Sequence, residues 1–278
     1  MRTAAGFSGE LQADFPERML SEFLRILQRY AKQEQRGRSG KSRVWMGGWF
    51  MKRWFLLLAF LLPALLWRND SVTVTGEAEL EESRYVALTF DDGPKRGSTD
   101  RLLDGLLERG VNATFFLIGE QIAENQDLVV RMAAEGHQIG NHTWSHQRLD
   151  QGADIQEELR QTEEALEELC GPGPYWLRPP YGQVGENCVI GVPMVKWSVD
   201  PRDWESRDAA KVTQAILSHV QPNSIILLHD IYPSSVDAAL QVVDTLQAQG
   251  YHFVTVAELL ALNGVDPQPG QLYRTGKG

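Results

Sequence analysis

Cysteine is nearly absent: the 278 residues carry two, Cys170 and Cys188. They leave room for one disulfide, closing a loop of about 18 residues in an oxidising compartment. Two unpaired thiols are the other reading. Internal repeats and low-complexity blocks are also lacking, which leaves an ordinary globular composition of one large or two small domains. No apolar run reaches the roughly 20 residues of a bilayer span. The longest, WFLLLAFLLPALLW at 54–67, follows Lys52 and Arg53 and precedes Arg68. It lengthens to a span if the apolar VWMGGWFM at 44–51 joins it and the two basic residues snorkel. A buried core helix is the rival reading, but tryptophan at both ends suits a membrane interface.

Positive charge is scarce beyond that run. Of 27 basic and 37 acidic residues, 11 and 5 lie in 1–53, a net of +6. The other 16 basic and 32 acidic residues give 54–278 a net of −16. So acidic a domain speaks against a nucleic-acid partner. The basic flank puts the N-terminus in the cytoplasm and everything after Arg68 outside the plasma membrane. A small-residue cleavage site is missing from LLWRNDSVTVTG, so 51–68 reads as an uncleaved signal anchor, with a cleaved secretory signal as the alternative. Residues 1–50 are then a basic cytoplasmic tail or an extension from a misplaced start codon. Leu20, Phe23, Leu24, Leu27 and Tyr30 form a helical stripe there. The polar, acidic 69–83 reads as a linker, 84–263 as the folded domain and 264–278 as a loose tail.

Within the domain, strand-like and helix-like runs alternate. Strands are expected at 85–90, 113–118, 175–177, 194–198, 224–228 and 253–256. Helices are expected at 99–108, 127–134, 154–169, 208–219, 236–249 and 257–262. Such alternation means parallel strands with crossover helices, as an open sheet or a barrel, and chemistry at the C-terminal strand ends.

Polar motifs fall at those ends. VALTFDDGP (86–94) climbs an apolar strand to Asp91 and Asp92, whose adjacent carboxylates point in different directions and so can take separate tasks. GNHTWSH (140–146) spaces His142 and His146 four apart, which on one helical turn puts both imidazoles on one face as a metal pair. One aspartate would complete a three-ligand site with positions open for water and substrate. RPPYG (178–182), DPRDW (200–204) and IILLHD (225–230) follow. Each alone reads as a turn or a strand end.

Together, and in this order, the five stretches resemble the NodB-homology polysaccharide deacetylases of carbohydrate esterase family 4, over about 85–262. The resemblance implies an α/β fold, a distorted (β/α)7 barrel, and hydrolysis of an N-acetyl group on an amino sugar with one divalent cation. Zinc is the expected ion, with cobalt, nickel or manganese as alternatives. It implies Asp91 as general base, oriented by Arg178, and Asp92, His142 and His146 as metal ligands. It further implies His229 as general acid paired with Asp203, the Tyr181 backbone N–H at the oxyanion, Leu227 against the acetyl methyl and Trp204 lining the groove. The connection 183–193 is shorter than the family's and lacks its helix, a departure that opens or reshapes one side of the groove; Cys170 and Cys188 bracket the Arg178 loop, so a disulfide, if the two thiols are paired, would brace it.

The expected substrate is N-acetylglucosamine in peptidoglycan, with chitin-like glycans open and the chain a monomer. An O-acetyl esterase acting on xylan and a non-catalytic wall-binding protein are the rivals. Trp144 is read as a wall of the metal loop rather than a sugar platform, and His137, His219 and His252 as structural or surface residues.

Overall fold

The computed structural model describes residues 84–151, 154–185 and 189–278. The expected anchor at 51–68, the tail before it, the linker and Cys188 lie outside the described residues. Among the described residues no helix is long and apolar enough to cross a membrane.

Strand β1 (Arg84–Asp91) is buried from Val86 onward, as a strand must be when parallel neighbours and helices cover both faces. Strand β2 (Thr114–Leu117) and strand β3 (Gln138–Asn141) follow on one side, and β5 (Ile225–His229) lies on the other, all parallel, in the order β3-β2-β1-β5. The short β6 (Tyr251–Phe253) pairs with the start of β1. Strand β4 (Met194–Val195) pairs with β7 (Leu272–Tyr273). Single parallel bridges carry the pairing onward: Asn141 with Leu177, Leu177 with Met194, and Val199 with Ile226. The result is an α/β fold with a parallel sheet, consistent with a distorted barrel.

Helices cover the outside. They are α1 (Thr99–Glu108), α2 (Gly119–Ile122), α3 (Gln126–Ala134), α4 (Ile155–Cys170), α5 (Asp203–Ser206), α6 (Ala209–His219), α7 (Pro233–Ala248) and α8 (Val256–Leu262). Leu88 and Phe90 of β1, Leu102 and Leu106 of α1, and Val236 and Val243 of α7 share one core. The long α4 starts where the Asp154 carboxylate accepts the Glu157 N–H, a side-chain cap of the expected kind.

Several expectations need correction. The 253–256 run divides: its first residue ends β6, and Thr255 with Glu258 forms a capping box that opens α8. Strand β3 was not foreseen, because QIGN offers one large apolar residue and no alternation. The run at 175–177 shrinks to Leu177, which bridges to Asn141 and to Met194, and the run at 194–198 to Met194–Val195. The tail is not loose. Tyr273 is 1% exposed in a small core with Val195 and Leu259, and its hydroxyl accepts the Gln268 N–H at 2.9 Å.

Candidate active site

Strand alternation decides which side chains reach the site. Leu88 and Phe90 point to the helices, whereas Thr89 and Asp91 share the opposite face and both bond Arg178. On β5, Ile226 and Leu228 join the same helix-side core, while Leu227 and His229 line a cavity of about 390 Å³. Parallel register then aligns Asp91 with His229 and Phe116, and Leu117 with Asn141. Asp91, His142 and His229 therefore leave or follow neighbouring strand ends.

Arg178 is fully buried. Its NH1 donates to Asp91 Oδ1 and to Thr89 Oγ1, each at 2.7 Å, and its NH2 to the Lys196 carbonyl at 2.9 Å. The guanidinium lies 4.1 Å from the Phe116 ring centre. Burial lowers its pKa from the ordinary value and the Asp91 charge opposes that shift; an arginine remains charged through such a change. Asp91 is thus held by one oxygen, and Oδ2 is left 3.7 Å from His142 Nε2.

Asp92 lies just beyond the ladder with φ 71. Its Oδ1 is 3.4 Å from His142 Nε2 and 3.5 Å from His146 Nε2, close to both and hydrogen-bonded to neither. One ligand atom from each of the three residues lies within 4.8 Å of the others, and among the described residues no other His, Cys, Asp and Glu group does so. A buried carboxylate oxygen without a partner is costly, and a cation shared with two imidazoles would satisfy it. His142 Nδ1–H donates to the Arg178 carbonyl at 2.6 Å, so the neutral ring presents its Nε2 lone pair to Asp92. One carboxylate and two imidazoles suit zinc or a similar transition metal.

Charge follows this crowding. Burial alone would raise Asp92, but His142, His229 and His146 bring it down to about 2. Burial pulls His142 down while Asp91 and Asp92 outweigh it, leaving its pKa raised. Burial, then His142, lowers His146. A proton and a cation therefore compete for His142.

The two histidines do not share a helix. The segment after β3 is a loop in which Thr143 has φ 69 and His146 φ 58. Asn141 Oδ1 accepts the Thr143 N–H at 2.8 Å, and Thr143 Oγ1 accepts the His146 N–H at 3.1 Å. Such local side-chain bonds compete with helix formation, and they still bring the two ring centres to 4.9 Å.

On the opposite wall, Asp203 is 0% exposed and opens α5. Its Oδ1 pairs with His229 Nδ1 at 2.8 Å, while Oδ2 accepts the His229 N–H at 2.8 Å and the Ser235 hydroxyl at 2.6 Å. Burial pulls the imidazole down, but the bond and charge of Asp203, helped by Asp91 and Asp92, lift His229 to about 9. The pair keeps the ring protonated at neutral pH with Nε2 toward the cavity, 4.0 Å from Asp92 Oδ2. Removing the Asp203 charge lowers the pKa of His229. Asp203→Asn is therefore expected to move the alkaline limb of the kcat/KM profile down by roughly 1–3 pH units. An unmoved limb would separate Asp203 from His229.

Tyr181, with φ 57 and 56% exposed, stands at the rim between the His146 ring at 4.9 Å and the Arg148 guanidinium at 5.4 Å. Half-exposed Trp204 and buried Leu227 complete the expected lining. Trp197 and Asp200 line the cavity too and were not among the expected site residues, although Asp200 opens the DPRDW motif. Nor were two supporting hydroxyls, Thr89 and Ser235. Thr89 had a signal, a polar residue inside VALTF; Ser235, in a helix away from the motifs, had none. Trp144 is a wall: its indole covers Gly119, where a Cβ would meet it at 2.2 Å. His137 is structural, its Nδ1 accepting the Ala113 N–H at 3.0 Å. Asp230 is buried with Oδ1 unbonded, and burial, with the Asp92 charge adding, pushes it up to about 7. Cys170 is a half-buried free thiol, and its expected partner Cys188 lies outside the described residues.

Residues 79–190 match the family model described as polysaccharide deacetylase. The chain is 43% identical to the T48 deacetylase, solved with substrate, with a TM-score of 0.66 over 69% of this chain and 96% of that one. The chain belongs to the polysaccharide deacetylase family. A peptidoglycan-N-acetylglucosamine deacetylase of Listeria monocytogenes is 37% identical over 194 residues, 68% of this chain and 42% of the relative. The chain thus spans about two fifths of that relative's length. A family 4 acetyl xylan esterase from Clostridium thermocellum, solved with a cobalt ion, is 32% identical with a TM-score of 0.64 over 69% of this chain and 98% of that one. The polysaccharide deacetylase match ends at 190, so Asp203 and Trp204 of α5 and Leu227 and His229 of β5 lie beyond it; Trp204, Leu227 and His229 line the same cavity, and Asp203 bonds His229 behind it.

Proposed function

We propose that the chain is a metal-dependent hydrolase that removes N-acetyl groups from N-acetylglucosamine in peptidoglycan. In this reading the domain is a monomeric distorted (β/α)7 barrel outside the plasma membrane, tethered by the segment 51–68. The observation that carries the reading is the grouping of Asp92, His142 and His146 in one cavity with an Arg178-bound carboxylate and an Asp203-bound imidazole. The names of the relatives in Listeria and of the T48 enzyme support the chemistry, and the cobalt-bound relative supports a cation.

An acetamide carbonyl is a poor electrophile, and its amine is a poor leaving group. A divalent cation held by Asp92, His142 and His146 would polarise that carbonyl and acidify a water molecule. Asp91, fixed at Oδ1, uses its free Oδ2 to take the proton of the water that adds to the carbonyl carbon. The backbone N–H of Tyr181 would help hold the developing oxyanion, the role that the family resemblance gives it. Leu227 lies against the acetyl methyl, where only an apolar wall fits, and Trp204 lines the groove for the sugar. As the carbon–nitrogen bond breaks, His229 gives its proton to the amine, and acetate and the free amino sugar leave.

The test is acetate release by the purified chain, with and without a chelator, from peptidoglycan, chitin oligomers and O-acetylated xylan. The reading predicts release from peptidoglycan that the chelator abolishes and added zinc restores. Release from acetylated xylan alone would favour an esterase, which the likeness to the Clostridium enzyme keeps in view. No release from any of the three by the metal-loaded chain would leave a wall-binding protein.

A further inference from the structure

The last residue of IILLHD, Asp230, has no task in the reaction above, yet it is 0% exposed beside the turn that carries Asp92. A Cβ added to Gly93 would meet Asp230 Oδ1 at 2.4 Å and Oδ2 at 2.5 Å. The carboxyl therefore fills the space that a side chain at 93 would need.

That carboxyl is itself fixed from the start of α1. The Thr99 hydroxyl donates to Asp230 Oδ2, and the same hydroxyl accepts the Lys95 N–H at 2.8 Å, so its proton is committed to Asp230. The Ser98 hydroxyl donates to the Asp230 carbonyl at 2.5 Å. From the other side of the turn, the Ile118 N–H just past β2 donates to the Gly93 carbonyl at 3.1 Å. Gly93 is thus gripped between the ends of β2 and β5.

Asp92 needs that grip. It holds a left-handed φ of 71, a conformation that aspartate enters more readily than most residues with a side chain but that is still uncommon. No hydrogen bond aims its Oδ1. Its direction must come from the backbone, and the backbone on its C-terminal side rests on Asp230.

We propose that Asp230 is a positioning residue whose buried carboxyl seats Gly93 and so aims Asp92 Oδ1 at the space shared with His142 and His146. This rests on the metal-site reading above. Cation affinity depends on ligands that are already in place, and loss of an outer-shell support typically costs 10–100-fold. Thr99 and Ser98 extend the support to the first helix, so the α1 start and the metal loop are joined through Asp230.

The test titrates the purified, metal-free chain with Co²⁺, reading the dissociation constant and the visible absorption of the bound ion. Asp230→Ala is expected to weaken binding about 10–100-fold and alter the spectrum. Asp230→Asn, which keeps the volume and the Thr99 contact, is expected to stay near wild type. Thr99→Val, which frees the carboxyl without removing it, is expected to weaken binding by less than Asp230→Ala. A role in stability alone would lower the melting temperature and leave the affinity and spectrum of the folded variants unchanged, and that result overturns the proposal. If Asp230→Ala does not fold, unchanged affinity in Thr99→Val overturns it. Failure of the wild-type chain to bind Co²⁺ would sink the metal-site reading and this inference together. Wild-type binding with indifferent variants sinks this inference alone.

Discussion

Asp91→Asn is expected to reduce turnover on an N-acetylated glycan by roughly 10²–10⁴-fold while bound metal stays near the wild-type level. The replacement keeps the shape, and its amide oxygen can still accept from Arg178, which now meets Asp91 Oδ1 at 2.7 Å. The amide nitrogen then takes the place of Oδ2, the oxygen on the His142 side. An amide nitrogen donates and has no lone pair for a proton, so the water loses its base. Asp91 stands outside the three-residue group of ligand atoms, which is why the metal should remain. Taking one charge from a buried ion pair costs roughly 3–5 kcal/mol, so circular dichroism must first show the variant folded. Steady-state kcat with metal analysis on the same sample decides the matter. Near-normal turnover would move the base elsewhere.

His142→Ala has the opposite signature. It removes a ligand atom and the Nδ1–H bond that ties the metal loop to the Arg178 carbonyl. Affinity for zinc should fall by more than the roughly 10–100-fold that an outer-shell loss costs, and turnover with it. Dialysis followed by metal analysis reads this directly. Added zinc should restore little activity at concentrations that saturate the wild type. Equal metal loss in His142→Ala and Asp91→Asn would contradict the division of labour between the two carboxylates at the end of β1.

Much of this arrangement was legible in the sequence because parallel α/β folds concentrate chemistry at strand ends, and strand ends are easy to see. VALTFDDGP and IILLHD both announce a buried strand that stops on titratable groups, and their register puts Asp91 beside His229. What local pattern could not supply was the conformation between strands. The spacing of His142 and His146 fits a helix, but Asn141 and Thr143 spend their side chains on the loop's backbone instead. Strand β3 carries too little apolar alternation to stand out, and β7 is two residues long, held by Tyr273 in a core assembled from distant segments. Trp197 and Ser235 reach the site only because the chain closes around it. Such residues are defined by tertiary contact and leave no mark in their own neighbourhood.

The proposed mechanism rests on one divalent cation shared by Asp92, His142 and His146. Diffraction from zinc-soaked crystals, collected on both sides of the zinc absorption edge, tests it most directly. One anomalous peak is expected in the cavity, about 2.0–2.2 Å from an Asp92 oxygen and from both Nε2 atoms. A peak held by other residues, or none there at saturating zinc, would contradict it.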